Sequence, residues 1–377
     1  MLNIISLTKK LIKCPSLSPL DSGCQIIINN RLKKIGFNIK YININNTINT
    51  WAYHGIGGKT ILFAGHTDVV SSGDINNWKT LPFIPFIKKK KMLGRGSADM
   101  KGSLAAMIIA VENFIKKNPK HKGRISFIIT SDEESEAING TVKVIEILKK
   151  KKEKIEYCII GEPSSEKYVG DTIKNGRRGS LNINLIIYGI QGHIAYPNLA
   201  KNPIHISNNF IKDLILKKWD CGNIIFEPTT LQISNIYSDN INNLSNIIPS
   251  KININFNLRF NNIINVKNII KKIRIMLIKN KLKYYINWKI SGKSFYTNEN
   301  KLINIVKKSI YLYNKKFPKI STNGGTSDGR FIYNICKQIV ELGLKNNTIH
   351  KPNEYINTLE LKKLSIIYQN IIENILI

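Results

Sequence analysis

Acidic residues are scarce in this chain of 377 residues, which has 25 Asp and Glu against 57 Lys and Arg and a formal net charge of +32. A charge of this size invites a nucleic-acid-binding hypothesis. The densest basic runs, 88–91 and 149–152, contain no aromatic side chains on which bases could stack. Lys, Asn and Ile recur along the whole sequence, which is typical of compositional bias. We therefore expect no specific nucleic-acid partner.

Cysteines and long apolar runs are also few. The five cysteines are widely spaced and contain no Cys-x-x-Cys pair, a pattern that favours free thiols in a reducing compartment. No apolar run approaches the roughly 18–20 residues that a membrane span needs. Lys9, Lys10 and Lys13 interrupt the apolar positions at the N-terminus, where a signal peptide would need a continuous core. We expect a cytoplasmic protein with no membrane partner.

Short apolar strands alternate with helices in the first part of the chain. Apolar runs at 60–64, 124–130 and 157–160 predict strands, and helical spacing predicts helices at 3–13, 21–35, 104–115 and 140–150. Strands that alternate with helices predict an α/β fold with a mainly parallel sheet covered on both faces.

The pattern changes after residue 178. Strands at 180–188, 229–237, 251–260 and 284–290, with helices at 203–218 and 264–280, follow the order strand–helix–strand–strand–helix–strand. This order predicts a split βαβ, ferredoxin-like α+β unit. The α/β pattern returns with helices at 300–314 and from about 358, the latter capped by Asn357. We predict one domain, 1–178 and 294–377, interrupted by a second, 179–293.

The few acids follow apolar runs, together with two histidines. The carboxyl ends of parallel strands meet at one edge of a sheet, so side chains placed there should converge. Carboxylates and imidazoles in one cluster suit two metal ions such as zinc, which can activate a water between them. The candidates are His66, Asp68, Asp99, Glu133, Glu134, Glu162 and His350.

Each of these signals is weak by itself. Asp99 precedes a helix, where a lone Asp is more often a cap. Glu133 and Glu134 could lie in a solvated loop, although adjacent side chains diverge and so suit two roles, one as ligand and one as proton shuttle. Asp68 could orient His66 through the second ring nitrogen. Only the combination indicates a metal site.

Seven motifs, in order along nearly the whole chain, resemble the M20 family of dinuclear zinc hydrolases. They are 65–70 (Gly-His-Thr-Asp-Val-Val), 94–102 (Gly-Arg-Gly-Ser-Ala-Asp-Met-Lys-Gly), 130–134 (Thr-Ser-Asp-Glu-Glu), 161–165 (Gly-Glu-Pro-Ser-Ser), 175–180 (Asn-Gly-Arg-Arg-Gly-Ser), 191–197 (Gln-Gly-His-Ile-Ala-Tyr-Pro) and 324–330 (Gly-Gly-Thr-Ser-Asp-Gly-Arg). As a set they are specific for this family.

The resemblance implies a zinc-peptidase-like catalytic domain, interrupted by a dimerisation domain at 179–293, and a homodimer. It implies two zinc ions per subunit, with cobalt as an alternative in one site. Asp99 would bridge the ions, His66 and Glu162 would complete one site, and Glu134 and His350 the other. Asp68 would orient His66, and Glu133 would be the general base.

The resemblance also implies a reaction, the hydrolysis of N-succinyl-LL-2,6-diaminopimelate to succinate and LL-2,6-diaminopimelate in lysine and cell-wall precursor synthesis. Acetylornithine deacetylation and dipeptide cleavage are alternatives on the same scaffold. A basic nucleic-acid-binding protein with an inactive hydrolase fold is a third. His193 would act across the dimer interface on the oxyanion. The residues that match substrate-binding positions of the family are Arg177, Arg178, Ser180, His193, Tyr196, Asn246, Arg259, Gly325 and Thr326.

Overall fold

Residues 2–240, 244–298 and 300–377 are described by the structure, a computed structural model. They fold into two units. The first runs up to Gly176 and continues from Tyr296 to Ser321 and from Ser327 to Ile377. The second comprises Arg177–Phe295 and Thr322–Thr326.

The secondary structure follows the apolar pattern of the sequence closely. The helices are α1 (Leu2–Ile12), α2 (Cys24–Lys34), α3 (Gly102–Lys117), α4 (Thr141–Lys150), α5 (Pro203–Leu216), α6 (Val266–Lys279), α7 (Lys301–Asn314), α8 (Gly329–Ile332) and α9 (Thr358–Leu376). The strands are β1 (Asn38–Tyr41), β2 (Asn49–His54), β3 (Thr60–His66), β4 (Phe86–Lys88), β5 (Lys91–Leu93), β6 (Arg124–Thr130), β7 (Tyr157–Ile160), β8 (Thr172–Lys174), β9 (Gly176–Arg177), β10 (Gly179–Tyr188), β11 (Gly192–His193), β12 (Thr230–Ser238), β13 (Ile247–Ile248), β14 (Lys251–Phe260), β15 (Lys283–Gly292), β16 (Phe295–Tyr296), β17 (Lys319–Ser321), β18 (Ile339–Glu341) and β19 (Tyr355–Asn357).

The first unit is built on an eight-stranded sheet in the order β1-β2-β6-β3-β7-β18-β8-β17. Its centre is parallel, because β3 pairs in parallel with β6 and β7, and β7 with β18. Every residue of β3 is buried, as expected for a strand with helices on both faces. Helices α3 and α9 contribute many of the apolar side chains of the surrounding core. The predicted α/β class and mainly parallel sheet are confirmed.

The register of the central strands decides where the polar side chains go. His66, the last residue of β3, lies opposite Thr130, the last residue of β6. Ala64 lies opposite Ile160, where β7 ends, and the N–H of Gly161 donates to the Ala64 carbonyl. Three chain segments with candidate ligands therefore leave the sheet at the same edge, which is the arrangement the sequence predicts.

The second unit contains a four-stranded antiparallel sheet in the order β12-β14-β10-β15. With α5 and α6 this is the predicted split βαβ, ferredoxin-like topology. The strict alternation in β14 buries five side chains, Ile252, Ile254, Phe256, Leu258 and Phe260. At about 1.5–3 kcal/mol each, these five alone contribute roughly 10 kcal/mol before the entropy cost of folding. The unit has its own apolar core.

Asn357 caps α9 as predicted, since its side chain accepts hydrogen bonds from the N–H groups of Leu359 and Glu360. No helix within the described ranges has both the length and the apolar character that a bilayer crossing requires.

Candidate metal centre

His66 is buried at the end of β3 with its ring orientation fixed. Its Nδ1 lies 2.9 Å from the backbone carbonyl oxygen of Asp68 and 3.6 Å from the Asp68 carboxylate. Because a carbonyl can only accept, Nδ1 carries the proton and Nε2 is the atom left to bind a ligand. The sequence predicts that the Asp68 carboxylate orients this ring. In the structure the backbone carbonyl of the same residue is the closer acceptor.

The Asp68 carboxylate instead holds the loop after β6. It accepts hydrogen bonds from the N–H of Glu133 at 3.1 Å and from the N–H of Glu134 at 3.0 Å. Asp68 is fully buried, so these bonds are the charge-assisted kind that fix a backbone. The carboxylate thereby fixes the backbone positions from which both glutamate side chains extend.

Asp99 lies between the two histidines. Its Oδ1 is 3.4 Å from Nε2 of His66, and its Oδ2 is 3.2 Å from Nε2 of His350. A glutamate accompanies each imidazole, with Glu162 Oε1 3.7 Å from His66 Nε2 and Glu134 Oε1 3.1 Å from His350 Nε2. The five side chains therefore form two triplets that share Asp99.

These separations fit metal binding. Two ligand atoms bound at about 2.1 Å to one tetrahedral ion are about 3.4 Å apart. Among the described residues, Nε2 of His66 and Oδ1 of Asp99 are buried atoms that make no hydrogen bond. Ligand atoms of His66, Asp99 and Glu134 lie within 4.8 Å of one another, and so do those of His66, Glu133 and Glu162. The donor set of nitrogen and carboxylate oxygen suits zinc or a similar ion.

The electrostatics of the cluster indicate an excess of negative charge. Burial opposes a charge on His66, but the carboxylates of Asp99, Asp68 and Glu162 outweigh it and raise the pKa of His66 well above its usual value. Hydrogen bonds that the His350 ring donates to the carboxylates of Asp99 and Glu134 raise the pKa of His350 to about 10. Such a cluster holds extra protons until cations replace them, so metal binding should release protons.

Burial acts against ionisation of the glutamates. It raises the pKa of Glu133 well above the usual value, and the charge of Glu162 adds to the shift. It also raises the pKa of Glu134, with a further contribution from the charge of Asp99. Burial would raise the pKa of Asp99 too, but the imidazoles of His350 and His66 outweigh it and lower that pKa. Asp99 is thus held as the anion between the two rings.

In the second unit, one group of candidate residues lies where β10 begins. Ser180 and Arg259 are cross-strand partners. The Arg177 guanidinium donates to the Asn323 carbonyl at 2.8 Å, which ties the segment containing Gly325 and Thr326 to this end of the sheet.

Two local features shape that group. Gly324 has a φ of 108°, a backbone conformation that favours glycine, and a Cβ there would lie 2.3 Å from Nη1 of Arg177. Arg178 donates to the Pro228 carbonyl at 3.2 Å, and its Nη2 lies 3.9 Å from Glu227.

A second group lies beyond the other end of β10. His193 and Tyr196 have ring centroids 5.7 Å apart, and Nδ1 of His193 accepts from the N–H of Ala195. His193 pairs with Ile247 across β11 and β13, and the Asn246 carbonyl accepts from the N–H of Ile194. The structure brings these three candidates together.

Comparison with known proteins identifies the family. A model of peptidase family M20/M25/M40 matches residues 62–374. The chain belongs to the M20 family. It is 54% identical over 375 residues, 100% of this chain and 99% of the relative, to a succinyl-diaminopimelate desuccinylase of Buchnera aphidicola subsp. Cinara cedri (strain Cc). A protein of the same name from Buchnera aphidicola subsp. Acyrthosiphon pisum (strain APS) is 53% identical over 99% of each chain.

Solved structures give the same fold. The chain is similar to the M20 family metallo-carboxypeptidase Sso-CP2 from Sulfolobus solfataricus, with a TM-score of 0.82, 18% identity and 99% of each chain covered. The predictions of an M20 chain and of an enzyme are confirmed.

Two residues of this M20 chain that hold the Asp99 loop are not among the candidates that the sequence predicts. Arg95 and Glu354 form a fully buried ion pair at 2.9 Å, and Glu354 also accepts from backbone N–H groups of the loop. Glu354 lies four residues after His350. The signal in the sequence was a lone acid beside a candidate ligand, which does not reveal that its partners are backbone groups.

Proposed function

We propose that this chain hydrolyses N-succinyl-LL-2,6-diaminopimelate to succinate and LL-2,6-diaminopimelate, in the synthesis of lysine and cell-wall precursors. The observation that carries the proposal is the pair of triplets around Asp99, in a chain similar over its full length to proteins named for this reaction. We propose the cytoplasm as its location, because all five cysteines are free thiols, as is usual in a reducing compartment.

The residues that would hold two metal ions follow from the two triplets. Asp99 would bridge them, His66 and Glu162 would complete one site, and Glu134 and His350 the other. We propose zinc in both sites, with cobalt as a functional substitute in one. Two such ions supply Lewis acidity that polarises the amide carbonyl and lowers the pKa of a water.

Glu133 is the proposed general base. Its backbone is fixed by the Asp68 carboxylate, and its side chain belongs to the cluster with His66 and Glu162. It would take the proton of the attacking water and return it to the nitrogen of the leaving amine. Its neighbour Glu134 faces His350 instead, at 3.1 Å, so the two adjacent carboxylates have different roles.

The residues at the start of β10 would bind the carboxylates of the substrate. Arg177, Arg178 and Arg259 supply guanidinium groups, which pair with carboxylates through two parallel hydrogen bonds. Ser180, Gly325 and Thr326 would add hydroxyl and backbone N–H donors.

His193, Tyr196 and Asn246 are proposed to serve the site of a partner subunit. Ser180 and Tyr188 bracket most of the ten-residue strand β10, and at about 3.3 Å per residue they lie roughly 25 Å apart. One small substrate cannot contact both ends of this strand. A homodimer in which 179–293 is the dimerisation domain would let His193 of one chain stabilise the oxyanion in the site of the other.

The direct test compares N-succinyl-LL-2,6-diaminopimelate with an N-acetylated analogue at equal zinc loading. We expect hydrolysis of the succinyl compound to dominate in kcat/KM, and chelation to abolish it. A preference for the acetyl compound would instead indicate a deacetylase on the same scaffold. Rapid cleavage of dipeptides would indicate a peptidase.

A further inference from the structure

The carboxylate of Glu354 is enclosed by backbone donors from one loop. Its Oε1 accepts from the N–H of Ala98 at 2.7 Å and of Asp99 at 3.2 Å. Its Oε2 accepts from the N–H of Gly96 at 2.9 Å and from Nη1 of Arg95 at 2.9 Å. Glu354 is 1% exposed, so water does not compete for these bonds. The backbone N–H of Asp99 is thus anchored by a side chain outside its own loop.

Glu354 belongs to the same chain segment as His350. The Glu354 carbonyl accepts from the N–H of Gly94 at 2.9 Å. Nη1 of Arg95 also donates to the Lys351 carbonyl at 3.3 Å. The loop of Asp99 and the segment of His350 are therefore joined through the Glu354 carboxylate, the Glu354 carbonyl and the Lys351 carbonyl. In sequence, 251 positions separate Asp99 from His350 (350 − 99). These contacts fix the two segments relative to each other, with Oδ2 of Asp99 3.2 Å from Nε2 of His350.

His66 does not depend on this junction. It is held by the register of β3 and by the Asp68 carbonyl. A disturbance at Glu354 would move Asp99 and His350 relative to each other, but would leave His66 in place. The two ends of the cluster should respond unequally.

We propose that Glu354 is a positioning residue that sets Asp99 between the two imidazoles and thereby secures the metal ion at the end formed by Asp99, Glu134 and His350. The inference rests on the proposed dinuclear function. Outer partners of metal ligands typically change metal affinity by about 10–100-fold when they are replaced. We expect an effect of this size for one site and a smaller effect for the other.

The experiment is a calorimetric zinc titration of the full chain after removal of metals with a chelator. The variants are Glu354→Gln and Glu354→Asp. Gln presents an NH₂ group to backbone donors. Asp keeps the charge opposite Arg95 but is too short to reach both loop positions. The matched control is Glu112→Gln, which removes a different carboxylate–Arg pair, with Arg31. Thermal unfolding of each metal-free protein separates stability from metal binding.

The wild type and Glu112→Gln should each bind two zinc ions. The affinity of each site should be the same in both proteins. Each Glu354 variant should bind one zinc at least tenfold more weakly and the other with a clearly smaller loss. If Glu354→Gln does not fold, Glu354→Asp decides. Wild-type affinity at both sites in a Glu354 variant would overturn the inference, and so would an equal loss at both sites, because that indicates general destabilisation. A wild type that binds no zinc would instead contradict the proposed function.

Discussion

The Asp68 carboxylate offers the sharpest prediction, because the structure gives it a task different from the one expected from sequence. It binds the N–H groups of Glu133 and Glu134 and lies 3.6 Å from His66, whose ring is held by the Asp68 carbonyl. Asp68→Asn and Asp68→Ala leave that carbonyl in place. We expect both variants to lose stability and turnover while His66 keeps its orientation.

The magnitude follows from two buried hydrogen bonds. A bond to a charged acceptor contributes about 1.5–3 kcal/mol and a neutral one about 0.5–1.5, so Asp68→Asn should cost about 2 kcal/mol for the two bonds. Asp68→Ala leaves both N–H groups without an acceptor at about 1–3 kcal/mol each, or about 4 kcal/mol in total. At about 2–4 °C per kcal/mol, the expected decreases in Tm are roughly 6 °C and 12 °C.

The assay is thermal unfolding of the metal-free proteins, followed by zinc titration. Asp74→Asn is a suitable control, because Asp74 accepts one hydrogen bond from the N–H of Asn76 at an exposed turn. It should leave Tm nearly unchanged. An unchanged Tm in Asp68→Ala would refute the reasoning. Unchanged stability with strongly weakened zinc binding would show that the carboxylate orients His66 after all.

Three further predictions concern the reaction and the effect of pH. Glu133→Gln should keep two zinc ions but lose a factor of about 10²–10⁴ or more in kcat, and near-wild-type turnover would eliminate Glu133 as the base. His193→Ala should lower kcat without loss of zinc, whereas a fully active monomer would contradict its role across subunits. Nδ1 of His54 lies 3.0 Å from Nε2 of His121, and burial lowers the pKa of both histidines below 6.5. The unfolded chain therefore takes up more protons as the pH falls through about 6.5, and stability should decrease from there down to the lower folded pKa. A Tm comparison at pH 7.5 and 5.5 should show a smaller decrease in His121→Ala than in the wild type.

The sequence predicts the elements whose burial pattern is regular. The bounds of β6, β7 and β14 match the predicted strands residue for residue, because each is a clear apolar run or alternation. It does not predict β1 and β2, which extend the sheet antiparallel to β6. These two strands are short and rich in polar residues, so what stabilises them is pairing with a neighbour that no local pattern reveals.

In the candidate site, too, the residues that follow regular strands can be predicted and the tertiary contacts cannot. Residue types at strand ends are enough to predict His66, Glu134 and Glu162 as candidates, since parallel strands converge there. The partners that orient the ligands could not be nominated, because the Asp68 carbonyl is a backbone group and Glu354 acts on backbone N–H groups. Such contacts depend on how distant segments of the chain pack against each other rather than on which residue types the sequence contains.

The central claim is that five side chains, Asp99 and the four around it, bind two metal ions. The most direct measurement is anomalous scattering at the zinc absorption edge from crystals of the zinc-loaded protein. We predict two peaks, one beside His66 and Glu162 and one beside His350 and Glu134, with the Asp99 carboxylate between them. A single peak, or two peaks that Asp99 does not contact, would contradict the account.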